Sequence, residues 1–580
     1  MSTARHTPRT PQLQAKVFLL AAFALLAPRL LAQTNADGTP GGQYVINGKY
    51  VPTIANVQKI DLRPVAFDTV LPDRPVTYDM LPVKGSVPPK VDSISAAKLN
   101  IATTQQKLYH GFVKAGFGLY TTPMVDAYYD QVRSRENTYG IHVKHFSSNG
   151  GLDDVGPSDY GYNNIDGFYT QYMKHHEVGG RLTYDRRRVN FYGYEPTALD
   201  ADTIAQPTDD ELERFYNDIG FQARIKSLYR DSTKIAHDVA LEVHAYSNDV
   251  RSTETNIKLT TLLSKEEGSE TYGLGVLLDN NAYRGKVGNG LEDLRQNGTL
   301  FGLTPNVSTS GEHYTVKVGA GIYVDAQSKT TFHFFPQAEA TYSLFDDILM
   351  PYVGVDGRRI RNSFRSLSRE NPWLVDAPNL VNSSLNYDIY GGLRGSFSSQ
   401  LGFDVRISKS RMKARPLFVS LPPGDPSYGD RYAPVYDRVD QLDISGELHY
   451  HAGTAINVNG RVDIYTYDTD EQAEPWNLPP YKISLGATYD LRQKLILKLE
   501  AQFLGARKAF GYADQLAEVP VATTRDLDGF MDLYFGAEYR YTKRLSLFFD
   551  VSNLSASKYE RWYRYPVQRT LVMGGATFAF

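Results

Sequence analysis

The densest cluster of residues able to bind a metal is His175-His176-Glu177. Two histidines and a carboxylate suit a divalent cation such as zinc, but adjacent residues on a strand point to opposite faces. The pair cannot share one ion without a bulge, so a turn or an interfacial ring is the expected setting. His449 and His451 do share a face at i, i+2, where an aromatic-rich hairpin explains them equally well. Asp526-Leu527-Asp528-Gly529 lacks the remaining ligands of a calcium loop and reads as a loop entering a strand. Gly273 and Gly275 lie inside a strand pattern without phosphate-loop context. Arg186-Arg187-Arg188 is a basic run suited to lipopolysaccharide, a lumen wall or a solvated strand end. The chain has no cysteine, which excludes disulfides, thiolate metal sites, a Cys nucleophile and a lipidated N-terminal Cys. No spacing singles out a catalytic set. The sequence therefore assigns no catalytic, cofactor-binding or metal residue and no cofactor, and it predicts no enzyme.

The elements that carry these residues begin after a targeting segment. Arg5, Arg9 and Lys16 form a positive n-region, Val17 to Ala27 an apolar stretch, and Ala32 precedes the expected cleavage before Gln33. Residues 1–32 thus read as a signal peptide. No later stretch is continuously apolar over a helical span, so any membrane insertion must use strands. The net charge of −3 gives no basic field for nucleic acid. From 33 to 107 the chain is punctuated by Pro40, Pro52, Pro64, Pro72, Pro75, Pro82, Pro88 and Pro89. Proline removes ladder donors, so this tract is expected to be extended and irregular, either periplasmic or lumen-filling.

From 108 to 580 the texture changes to segments of about ten residues that alternate apolar with polar. Leu442, Ile444, Gly446, Leu448 and Tyr450 take one face; Asp443, Ser445, Glu447 and His449 take the other. After Ala452–Gly453, Ile456, Val458, Val462 and Ile464 alternate with Asn457, Asn459, Arg461 and Asp463. The polar face is charged strand after strand, as a watery lumen permits. Short turns (Phe345–Asp347, Ser398–Ser399, Thr542–Lys543) alternate with long polar loops near 147–166, 361–384, 411–433 and 508–526. Tyr342, Tyr489, Tyr539 and Tyr541 stand at strand ends, where an aromatic girdle belongs. These features predict an all-β fold, a transmembrane antiparallel β-barrel of about 22 strands in the cell outer membrane, with long extracellular loops and short periplasmic turns.

The last strand places Val572, Gly574, Ala576, Phe578 and Phe580 on one face. Phe578 and Phe580 resemble the C-terminal signal recognised by the barrel-assembly machinery. Before them, Leu545 to Ser552 alternates, then come Asn553-Leu554-Ser555-Ala556-Ser557-Lys558-Tyr559-Glu560 and Trp562-Tyr563-Arg564-Tyr565-Pro566. This hairpin resembles the end of a TonB-dependent receptor barrel, which closes with strand, N-L-x-x-x-x-Y, strand and a terminal Phe. The resemblance implies a barrel of about 22 strands acting in uptake or permeation of a ligand. Such receptors also carry a plug domain of well over a hundred residues, for which 33–107 has no room; Asp68-Thr69-Val70-Leu71 only faintly resembles the box that contacts TonB. A plug-less barrel of this width needs another closure: the Pro-rich tract, loops such as 361–384 and 411–433, or a partner. The alternative function is a scaffold or accessory subunit of an outer-membrane complex. Expected partners are outer-membrane lipid and lipopolysaccharide, the assembly machinery, and an outer-membrane or periplasmic protein. Deleting Ala579 and Phe580 is expected to lower outer-membrane levels and raise periplasmic degradation; unchanged levels in fractionated membranes would place the recognition signal elsewhere.

Overall fold

A sheet in hydrocarbon can leave no backbone edge unpaired, because nothing around it donates or accepts. The computed structural model describes residues 108–131, 134–153, 155–193, 212–229, 231–286, 293–421, 431–512 and 521–580. The expected signal peptide and Pro-rich tract lie outside the described residues. Twenty-two strands form a single antiparallel sheet, beginning with Gly111–Gly118 and ending with Leu571–Ala579. Those two strands pair with each other, from Phe112 opposite Ala579 to Gly118 opposite Met573, so the sheet is a closed barrel. Among the described residues the first strand starts at Gly111 and no separate plug domain is present.

Register follows the alternation. Ile444, Leu485 and Leu547 stand exposed on the outer wall, where they meet lipid. The opposite face of the sheet carries ion pairs: Lys114 with Asp550 at 3.1 Å, Arg461 with Asp463 at 2.7 Å, and Arg406 with Asp388 at 2.7 Å. Two-residue connections such as 268–269 and 399–400 mark the periplasmic rim. Leu491–Leu495 turns through left-handed Arg492 and Gln493 (φ 56° and 57°), the twist a tight hairpin requires. Long connections such as 361–382 and 553–570 lie on the other rim.

Three of the expected loops are more ordered than their composition suggests. Leu401–Ser420 and Tyr432–Ala452 run 20 and 21 residues, so the loop expected at 411–433 shrinks to 421–431. Leu417 and Val439 are buried there against Trp476, which rewards extending the ladder beyond the membrane. The loop expected at 508–526 is a hairpin, Arg507–Tyr512 paired with Ala522–Leu527. The loop expected at 361–384 contains a helix, Phe364–Glu370.

The seam is built from the shortest strands of the barrel, with Leu545–Ser552 and Gly111–Gly118 at 8 residues each. Gly116 pairs with Gly575, and the Phe548 ring lies across both. A Cβ on Gly575 would stand 2.2 Å from the Ala115 carbonyl oxygen, so the strands can close only around glycine here. Gly575→Ala is expected to reduce the folded, heat-modifiable band severalfold in outer membranes, whereas Gly446→Ala, on the open outer wall, leaves it unchanged. Leu547→Arg should cost about 2–4 kcal/mol and Asp550→Asn about 1 kcal/mol or less in denaturant titration. Equal effects would contradict this register.

Candidate functional site: the lumen and its external mouth

A ring of 22 strands encloses more space than its own inward side chains can fill. The wall is therefore lined by groups that tolerate water. Tyr534 donates to Asp550 at 2.8 Å, Tyr352 to Asp404 at 2.6 Å and Tyr390 to Glu339 at 2.9 Å. His142 pairs with Asp126 at 2.9 Å and stacks on Tyr128, ring centroids 3.9 Å apart. Charges are met across neighbouring strands, so the wall is ionic but locally balanced.

Segment 361–382 leaves Leu349–Ile360 at the external rim and folds inward before rejoining the wall at Ser383–Ser398. Its helix starts at Ser363, whose hydroxyl accepts from the Ser366 amide while Ser366 Oγ accepts from the Ser363 amide. The remaining first-turn amides need an acceptor, and Glu254 on the wall provides it: Phe364 N and Arg365 N donate to its carboxylate at 2.6 and 3.2 Å. Phe364 and Leu367 are buried against wall tyrosines Tyr216, Tyr246 and Tyr283. The basic residues reach lumen acids. Arg361 pairs with Asp279 at 2.8 Å, Arg365 with Asp218 at 2.5 Å, and Arg369 with Asp218 at 2.8 Å and Asp185 at 3.3 Å.

Beyond the helix the segment reaches the far wall. Trp373 Nε1 donates to the Asn190 carbonyl at 2.8 Å, while the Trp373 carbonyl accepts from Tyr432 N at 3.0 Å and Val375 N donates back to Tyr432 O at 2.9 Å. Asn190 and Tyr432 belong to the fifth and sixteenth of the 22 barrel strands, half-way round the ring from each other. One residue thus ties opposite walls together, and the segment is a strap across the mouth. Trp373 also stacks on Tyr565 at 3.9 Å, which draws the 553–570 loop into the same cluster.

Asp376 sits between Arg214 at 3.4 Å and Arg431 at 3.3 Å and accepts from Asn248 at 2.9 Å. Burial pushes its carboxyl above the usual range, against the pull of both arginines. The desolvation of this carboxylate is therefore not fully offset by its partners. Glu370 is raised for the same reason, with Arg415 opposing.

The residues singled out in the sequence stand apart from this strap, with one exception. His175 lies in a periplasmic turn and His176 opens strand His176–Asn190, its ring 5.3 Å from His237 and bonded to Tyr229. His449 pairs with Glu447 at 2.9 Å in the lumen. Asp526 pairs with Lys508 in the outer hairpin, and Gly273 lies beneath the Asn306 side chain. Of the arginine run, Arg186 stacks on Phe215, Arg188 pairs with Asp159 at 2.8 Å, and Arg187 donates to Tyr246 at 3.2 Å beside the strap. Phe580 closes the ring, its carbonyl accepting from Gly111 N at 3.0 Å. The strap anchors Tyr216, Tyr246, Tyr283 and Asp376 carry no signal of their own in the sequence. A signal was present in Trp373, Trp476 and Trp562, three tryptophans all placed in or beside long loops rather than at girdle positions.

Neither protein-family models nor curated proteins match this chain. Solved structures do. The ferripyoverdine receptor of the outer membrane of Pseudomonas aeruginosa, bound to ferripyoverdine, aligns over 82% of this chain and 72% of its own at 11% identity, with a TM-score of 0.60. The siderophore receptor PirA from Acinetobacter baumannii aligns over 82% and 81% at 10% identity, TM-score 0.61. The FrpB iron transporter from Neisseria meningitidis aligns over 82% of each chain at 10% identity, TM-score 0.60. The likeness is one of fold. The closed 22-strand ring and apolar outer wall give this chain the fold that these outer-membrane receptor and transporter barrels share.

Trp373→Ala should remove the stack and the cross-mouth bond at a cost of about 3–5 kcal/mol to strap docking. Limited trypsin digestion of intact cells is expected to begin cutting at Arg365 or Arg369 in this variant and to spare the parent. Equal resistance would show that the strap is held elsewhere.

Proposed function

We propose that this barrel acts in uptake or permeation of a ligand across the outer membrane. The observation that carries the reading is the lumen: a charged, tyrosine-lined, water-compatible wall inside a ring far wider than packing requires. Structurally similar barrels are a ferripyoverdine receptor, an iron transporter and a copper transporter, which makes metal complexes the first ligand class to test. Cells lacking the gene should accumulate less iron or copper under limitation, measured by elemental analysis, with recovery when the gene is restored. Identical accumulation of both metals would remove this ligand class.

The Pro-rich tract 33–107 enters the same proposal as a periplasmic or lumen-filling segment. Removing residues 40–100 while keeping the signal peptide is expected to raise single-channel conductance and sensitivity to bulky antibiotics if the tract fills the lumen. Unchanged conductance with loss of a co-purifying protein would assign it to partner binding. Neither change would make it a passive tail.

A further inference from the structure

The strap is held by polar contacts as well as by its aromatic anchors, and three observations bear on whether it stays in place. First, the two ends of its span are charged. Arg365 and Arg369 share Asp218, which His244 also meets at 3.0 Å, and Asp376 is clasped between Arg214 and Arg431. Buried ion pairs contribute little net stability compared with apolar packing but define one geometry sharply, which suits a contact that is made and broken. Second, its polar inventory is incomplete. Asn371 Nδ2 and Asn382 Oδ1 on the strap, and Asn281 Oδ1 on the wall, are buried without a hydrogen-bond partner. A buried polar atom without a partner costs free energy, and releasing the strap returns that of Asn371 to water. Third, both roots of the strap are irregular. The ladder shifts register between Asp356 and Arg358 before it and between Leu385 and Tyr387 after it. A bulge interrupts the ladder and lets the strand ends bend without unzipping the pairs below.

We propose that segment 361–382 is a releasable latch over the external mouth, with Asp376 as its catch between Arg214 and Arg431. The proposal rests on the permeation reading above and names how that path is controlled. With the latch closed, the mouth is crossed from the fifth strand to the sixteenth; with it released, the strap swings on its two bulged roots and the polar lumen meets the outside.

The absence of cysteine in the chain allows a direct test. Leu374 and Tyr432 are bridge partners, so Leu374→Cys with Tyr432→Cys places two thiols within disulfide reach across the closed latch. Full-length protein is reconstituted in planar bilayers in potassium chloride, and openings are counted for the parent, the cysteine pair, Asp376→Asn, and a variant with 363–381 replaced by a short Gly-Ser turn. Heat-modifiable mobility confirms that each barrel is folded. Asp376→Asn is expected to raise the open fraction roughly tenfold or more, the size of effect expected when one partner of a buried charged contact is lost. The oxidised cysteine pair should fall silent and recover on reduction, and the strap-replaced barrel should stay open. If the replaced barrel conducts but Asp376→Asn and the oxidised pair both behave as the parent, the latch is overturned and permeation stands. If the folded, replaced barrel does not conduct even when residues 40–100 are also removed, the latch falls together with the permeation reading.

Discussion

The pairing of Gly111–Gly118 with Leu571–Ala579 is the interaction on which the rest of the molecule depends. In hydrocarbon an open sheet would expose a row of unpaired amides and carbonyls at each edge, at a cost of several kcal/mol per group. Closure removes both edges at once. It also brings the ends of the described chain together, where Phe580 O accepts from His110 N and Gly111 N. The glycine-to-glycine contact at Gly116 and Gly575 is the local condition for that closure, and Phe548 fills the space their missing side chains leave.

Closure at this strand number sets a second problem. A small barrel fills itself with its own inward residues, but a 22-strand ring does not. The interior must be wet, filled by another element, or both. Here the wall is made compatible with water by tyrosine–carboxylate bonds and cross-strand ion pairs, and the mouth is crossed by a strap from the barrel's own chain. The strap is not a separate domain. Its helix is only 7 residues long, too short to persist alone, and it exists because Glu254 satisfies its first amides and three wall tyrosines bury its apolar face.

The energetics of wall and strap differ in kind. The wall is held by a continuous backbone ladder and by outward apolar side chains that lipid solvates, so local substitutions on either face act nearly independently. The strap is held by a few aromatic anchors and by charges taken out of water. The raised carboxyls of Asp376 and Glu370 report that burial outweighs their arginine partners. An element whose charged contacts are only partly compensated can be shifted by a ligand, or by a change in its surroundings, without disturbing the ladder.

Alternation alone determined most of the barrel. The two-residue period assigned Leu547 to lipid and Asp550 to the lumen, the turn and loop lengths assigned the rims, and the walk along the segments reached the strand number, because each of these is encoded locally in the pleat. The terminal Phe and the hairpin before it pointed to the architecture that solved structures share. Tertiary structure alone decided what the long loops do. Nothing local distinguishes 361–382, which turns inward, from 505–529, which forms an outer hairpin; both read as polar connections. The difference arises from residues far away in the chain, Asn190, Asp218, Glu254 and Tyr432, which only a closed ring brings to face the same segment. Partners separated by 59 to 183 residues leave no periodic trace in one sequence, so the strap became visible only once the barrel was closed around it.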